Sequence, residues 1–241
     1  LKVKTSTLVA SAALIIALTP AAYARAQSVQ EIVVTATRAA TWDADDVPTI
    51  QLPRRADNLI VEVRVVNDTR DTVGRRSEIT QTLRRMSQLA ASRSDIALSI
   101  DNDGLLVPLT ENMVSTLTLG VDGNRADTSV ARVIVKTPIR TDDTLDRASG
   151  RIEAFVKGVE QAGRSLATIS GSWNLSLIDP PQYRPAILTL LATDSRSVAA
   201  TFGEGYAVEV DGLSNQVTWR QSGPLELSLF IPYKMKVTPK P

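Results

Sequence analysis

The groups able to do chemistry in this chain are carboxylates, hydroxyls, lysines and tyrosines, because it contains no cysteine and no histidine. That absence removes disulfides, zinc sites built on thiolate or imidazole, haem ligation by histidine, and nucleophile systems that need a histidine base. Two acidic clusters are left to weigh. Asp101-Asn102-Asp103-Gly104 begins like a calcium loop, but such a loop needs glycine sixth and a bidentate glutamate twelfth. Here the glycine is fourth and the twelfth residue is Asn112, so the spacing predicts a hairpin turn. Asp142, Asp143 and Asp146 are close enough in sequence to serve as paired carboxylates. Their place at a predicted helix start favours interaction with the helix dipole instead. Trp173, Tyr206, Trp219 and Tyr233 are able to line a ligand groove, yet aromatic residues on predicted strands more often pack in a core or between subunits. No catalytic residue, metal site or cofactor is expected, and the chain reads as non-enzymatic.

The bulk composition narrows the partners. Basic and acidic residues number 27 and 26, a formal net charge of +1, and the basic residues form no run longer than a pair. A role driven by phosphate neutralisation is therefore not expected. At the N-terminus, Lys2 and Lys4 precede an apolar run from Leu8 to Leu18, and Ala24-Arg25-Ala26 supplies small residues at a cleavage site. Residues 1–26 are read as a cleavable signal peptide, which sends the body to the periplasm or into association with the outer membrane. No cysteine follows the apolar run, so no lipoprotein anchor is expected, and no later stretch has the length of a transmembrane helix.

The elements that must position any site begin after a tail. Residues 27–57 read as extended: one β-prone run, an acidic cluster at Asp43, Asp45 and Asp46, and prolines at 48 and 53. Leu59–Val66 alternates as a half-buried strand. Residues 71–91 carry a helical stripe at Ile79, Leu83, Met86 and Ala90. Strands are expected at 95–100 and 105–109, and a weaker one at 110–121. Val130–Ile139 reads as a strand, followed by a helix with Leu145, Ala148, Ile152, Phe155, Val156 and Val159 on one face. A strand over 166–178 leads to Asp179-Pro180, read as an N-cap with proline in the first turn. The next helix buries Tyr183, Ile187, Leu190, Leu191 and Val198, and two strands joined at Gly223-Pro224 close the chain. The fold class is α+β: two strand-helix-strand lobes, at 58–125 and 126–238, with an additional helix and a C-terminal hairpin.

Two resemblances follow from these residues. The opening strand Leu59–Val66, the unit at 131–163, and Leu177-Ile178-Asp179-Pro180-Pro181 before an alanine-bearing helix resemble the SIMPL-domain family of exported bacterial envelope proteins. The resemblance covers most of 57–237. It implies an α/β envelope domain assembled into rings or larger homo-oligomers, with no catalytic residues to carry over. The segment Glu31-Ile32-Val33-Val34-Thr35-Ala36-Thr37-Arg38 resembles a TonB box, the peptide through which outer-membrane receptors engage the energy-transducing protein TonB. It implies TonB as a partner and an accessory role in transport beside an outer-membrane transporter, docking by strand addition. Two other functions stay open: an envelope-stress or scaffold protein of SIMPL type without TonB contact, and a small-molecule binder or carboxylate-dependent hydrolase.

Overall fold

The computed structural model describes residues 30–34, 47–123 and 125–240; residues 1–26, expected as a signal peptide, lie outside them. The strands are β1 (Glu31–Val34), β2 (Leu52–Arg55), β3 (Asn58–Asn67), β4 (Ala97–Asn102), β5 (Leu105–Pro108), β6 (Gly120–Asp122), β7 (Arg125–Pro138), β8 (Leu166–Ile178), β9 (Tyr206–Asp211), β10 (Thr218–Gln221), β11 (Glu226–Phe230) and β12 (Lys234–Pro239). The helices are α1 (Thr72–Ala91), α2 (Glu111–Val114), α3 (Leu145–Gly158) and α4 (Arg184–Phe202), the last entered through a 3-10 turn at Pro180–Tyr183. The protein is mixed α+β. Among the described residues no helix is long and apolar enough to cross a membrane.

The main sheet runs β3-β8-β1-β5-β4-β7, and β7 pairs back with β3. Every pairing is antiparallel, so six strands close on themselves as a small barrel with β6 on the outer edge of β7. Closure removes free strand edges. The alternation along β3 explains how the helices are placed. Leu59, Val61, Val63 and Val65 point outward and are buried under helices, whereas Asn58 and Ile60 turn to the barrel interior.

Two cores cover the outer face. One packs the α1 stripe Ile79, Leu83, Met86 and Ala90, with Ile152 and Phe155 of α3, onto Val61, Val63 and Val133. Asp71 starts α1 by accepting from the Gly74 N–H at 2.6 Å. The other packs Ile187 and Leu191 of α4 with Leu59, Leu175 and Leu177 of the sheet and Leu227 and Leu229 of β11. Trp173 touches both. It sits in a bulge where β8 gains residues against β3 between Ile60 and Glu62, and Gly171 takes φ +81° there.

Several expectations are corrected. The two lobes share one sheet: β3 pairs with β7 along its whole length and with β8 on its other side. The strand pattern specified each unit but not the long-range pairing. The tail is partly body: Leu52–Arg55 pairs with β11, and Ala56 and Leu59 share a core with Leu225. Residues 110–121 form a short helix and then the start of β6, not one strand. Asp179 does not cap: it lies at φ 47° and its side chain makes no cap bond. Leu190 is 39 % exposed and Val198 only half-buried: the buried residues of α4 itself are Ile187 and Leu191, in its first half, and the helix packs chiefly against β9. The closing hairpin is present but broken, with β9 paired to β12 and β10 to β11.

Candidate functional site

Of the eight residues expected to contact TonB, Glu31, Ile32, Val33 and Val34 form β1, while Thr35, Ala36, Thr37 and Arg38 lie outside the described residues. The β-branched run became a strand as its composition requires, but its pairing is internal. Opposite β8, Glu31 faces Ile178, Ile32 faces Leu177, Val33 faces Ser176 and Val34 faces Leu175. On the other side Ile32 faces Leu105 of β5, and the Val33 N–H donates to the Gly104 carbonyl at 3.1 Å. The Asp179 N–H, turned by that residue's positive φ, donates to the Gln30 carbonyl at 2.8 Å. Both edges of β1 are in use.

Alternation then sorts its side chains. Ile32 lies on the outer face against the α4 core. Val33 points inward and packs on Ile60 and Leu106, with Ile134 beside them. Glu31 also points inward and is buried. Its carboxylate accepts from Asn58 Nδ2 at 2.7 Å and from Ser176 Oγ at 2.6 Å, and it receives a hydrogen bond from Lys136 Nζ. Asn58 Nδ2 also donates to Ser176 Oγ at 3.1 Å. A buried carboxylate is costly unless a cation and further donors meet it; β3, β7 and β8 each contribute one. Asn58, Lys136 and Ser176 carried no sequence signal for this role, since their meeting depends on strand register across the closed sheet. Beyond this end the inward face opens to solvent, with ion pairs from Arg64 to Asp122 at 3.4 Å and from Arg132 to Glu62 at 3.7 Å.

The other candidates resolve into local structure. Asp101 Oδ1 accepts from the Gly104 N–H at 2.7 Å, and Asp103 and Gly104 have φ of 53° and 85°, forming the β4–β5 turn. Asp143 is held by two hydrogen bonds from Arg151, at 2.6 and 2.7 Å, and one from the Arg140 N–H at 2.8 Å. The Arg151 guanidinium lowers its carboxyl from 3.8 to about 2. Asp142 faces Arg147 at 3.4 Å on the surface, and Asp146 lies in the first turn of α3, whose N-cap is Thr144. These three carboxylates do not converge. Trp173 and Trp219 pack against the cores as expected, whereas Tyr206 is exposed and contacts Phe202 at 6.1 Å between ring centroids.

A groove of about 790 Å³ lies between α4 and the β9–β12 pair, lined by Asp194, Asp211, Asn215, Tyr233 and Lys234 and walled by Val47, Pro48 and Thr49. Burial raises the Tyr233 phenol above its ordinary value, and the charge of Asp194 adds to that. Tyr233 is one of the aromatic residues able to line a ligand groove, but its partners here carry no sequence signal, because the walls come from widely separated segments. A second hub was also missed: Glu78 accepts from Asn67 at 2.7 Å, Thr69 at 2.9 Å and the Arg164 N–H at 2.8 Å, and these bonds lower its carboxyl.

The most specific arrangement is thus a slot between β5 and β8 that holds an extended strand by its backbone and selects an acidic side chain at one position. No protein-family model matches the chain, and no curated protein or solved structure matches it.

Proposed function

We propose that this chain is a non-enzymatic assembly protein of the bacterial envelope, of SIMPL type, in which β1 is a structural strand and not a docking peptide. The observation that carries the reading is the placement of Glu31: its carboxylate is buried with Lys136, Asn58 and Ser176. A docking peptide has to present its backbone to a partner's sheet edge, and β1 has given both edges to its own barrel. The envelope setting rests on the signal-peptide reading, and the SIMPL assignment on the resemblance across 57–237. The best-buried acid outside the slot, Asp143, supports a structural role, since Arg151 and a backbone N–H already occupy it.

TonB docking through residues 31–38 is the competing reading, and it requires β1 to leave the slot and strand Lys136 without its counter-charge. Retention of the chain on the immobilised periplasmic C-terminal domain of TonB separates the two. The expected result is no retention, with the chain eluting as an oligomer in gel filtration. Retention that Val34→Pro abolishes, in a variant whose circular dichroism still matches the parent, replaces this proposal with the TonB adaptor.

A further inference from the structure

We propose that the β5–β8 slot accepts β1 from a second copy of this chain, so that copies are joined by exchanging their N-terminal strands. The inference rests on the assembly reading above and names its interface. The slot's complement is known, because β1 itself shows what fits: an acidic residue first, an inward valine two residues later, antiparallel to both neighbours. Every copy carries that strand. Exchange therefore repeats the same contacts in a new molecule, the low-cost route by which identical elements swap.

Two features favour it. First, the strands that β1 meets are β8, β5 and, more weakly, β10. Apart from the packing of Ile32 on the core that α4 shares, its hold comes from the strand pairings of the slot. Second, the chain rejoins its body elsewhere: Val47, Pro48 and Thr49 lie against the groove with Tyr233 and Lys234, not beside β5. The link 35–46 between the two places is long enough to reach about 40 Å when extended, which lets β1 seat in a neighbouring barrel while its body stays outside. An empty slot would leave Lys136, Asn58 and Ser176 without the carboxylate that joins them. Filling by one copy or another is therefore strongly favoured over vacancy.

The test reverses the ion pair in separate chains. In Glu31→Lys the strand meets a like charge in its own slot, and in Lys136→Glu it does so as well. Across the two variants both pairings are complementary. Mixing them should give a heterodimer of twice the chain mass, in light scattering after gel filtration, that neither variant forms alone. A mixture that still elutes at the mass of a single chain overturns the exchange. Should either variant fail to fold, cysteines report on otherwise unaltered chains, since the native sequence has none. Ile32→Cys in one copy and Leu177→Cys in another occupy positions that face each other in the slot. A disulfide-linked dimer after mixing and mild oxidation supports exchange. A disulfide only when both substitutions share one chain overturns it. A native oligomer that persists in that second case leaves the assembly reading intact, whereas a native monomer removes both.

Discussion

Asp143 is the acid whose environment makes the clearest claim about pH. Its side chain is 4 % exposed and it holds Arg151, which also donates to Thr137 Oγ1 at 2.9 Å and to the Pro138 carbonyl at 2.8 Å. One pair thus ties the start of α3 to the end of β7. The folded carboxyl titrates at about 2 against an ordinary 3.8. A depressed folded value means the unfolded chain binds the proton more readily, so the contribution is complete above about pH 4. It disappears as pH falls from there through about 2, and amounts to about 2 kcal/mol. Asp143→Asn should lose about 2 kcal/mol at neutral pH and flatten stability between pH 4 and 2 relative to the parent. Urea titrations of both proteins at several pH values check it, because other shifted carboxylates cancel in the difference. The Glu31–Lys136 pair sets a harder test of burial. Lys136→Ala removes the cation while the carboxylate stays buried, so a loss of about 3 kcal/mol is expected. Equal stability of variant and parent in urea would mean that Asn58 and Ser176 suffice.

At the scale of elements, the turn after α3 shows how one residue joins three segments. Gly163 has φ +55°, and a Cβ there would stand 2.2 Å from the Glu78 carboxyl carbon. Glu78 in turn receives Asn67, Thr69 and the Arg164 N–H. Gly163→Ala forces both a left-handed backbone on an L side chain and displacement of the hub, so a loss of more than about 1 kcal/mol is expected. Thermal unfolding measures it, and an Ala variant as stable as the parent would show that Glu78 swings away freely. Elements with strong local signals were readable in advance: the α1 stripe is fully buried, and the Asp101–Gly104 turn stands where its glycine put it. What escaped is everything fixed by partners distant in sequence. The composition of Ile32-Val33-Val34 is the same for a docking peptide and for a barrel strand; only Lys136, Asn58 and Ser176 distinguish them. Likewise α4 carries apolar residues all along, but of these Ile187 and Leu191 are buried while Leu190 and Phe202 are left exposed. The Glu78 hub, and the residues that meet Tyr233 in its groove, were illegible for the same reason.

For the molecule as a whole, the shared sheet decides whether the chain unfolds in one step or two. The strands thread both cores: β3 gives Leu59 to one and Val61 to the other, and β8 gives Leu175 and Ala167 in the same way. Neither half of the sequence keeps a complete sheet without the other, because β7 and β8 flank β3. Trp173 lies at the seam and packs against both cores. Melting one core must therefore strip the strands that support the second, and a single transition is expected. A Trp42→Phe background leaves Trp173 at the seam and Trp219 beside the α4 core as fluorescence reporters. Their urea transition should coincide with that of far-ultraviolet circular dichroism. Trp173→Ala should cost about 2–3 kcal/mol, near the lower end for a large aromatic since the side chain is only partly buried. It should also loosen the coupling, so that the two probes separate. Separated transitions in the parent would return the two-lobe description, with β3 serving as a mere contact strand between independent halves. Coincident transitions in both parent and variant would place the coupling in the β3 pairings themselves and not in the packing of Trp173.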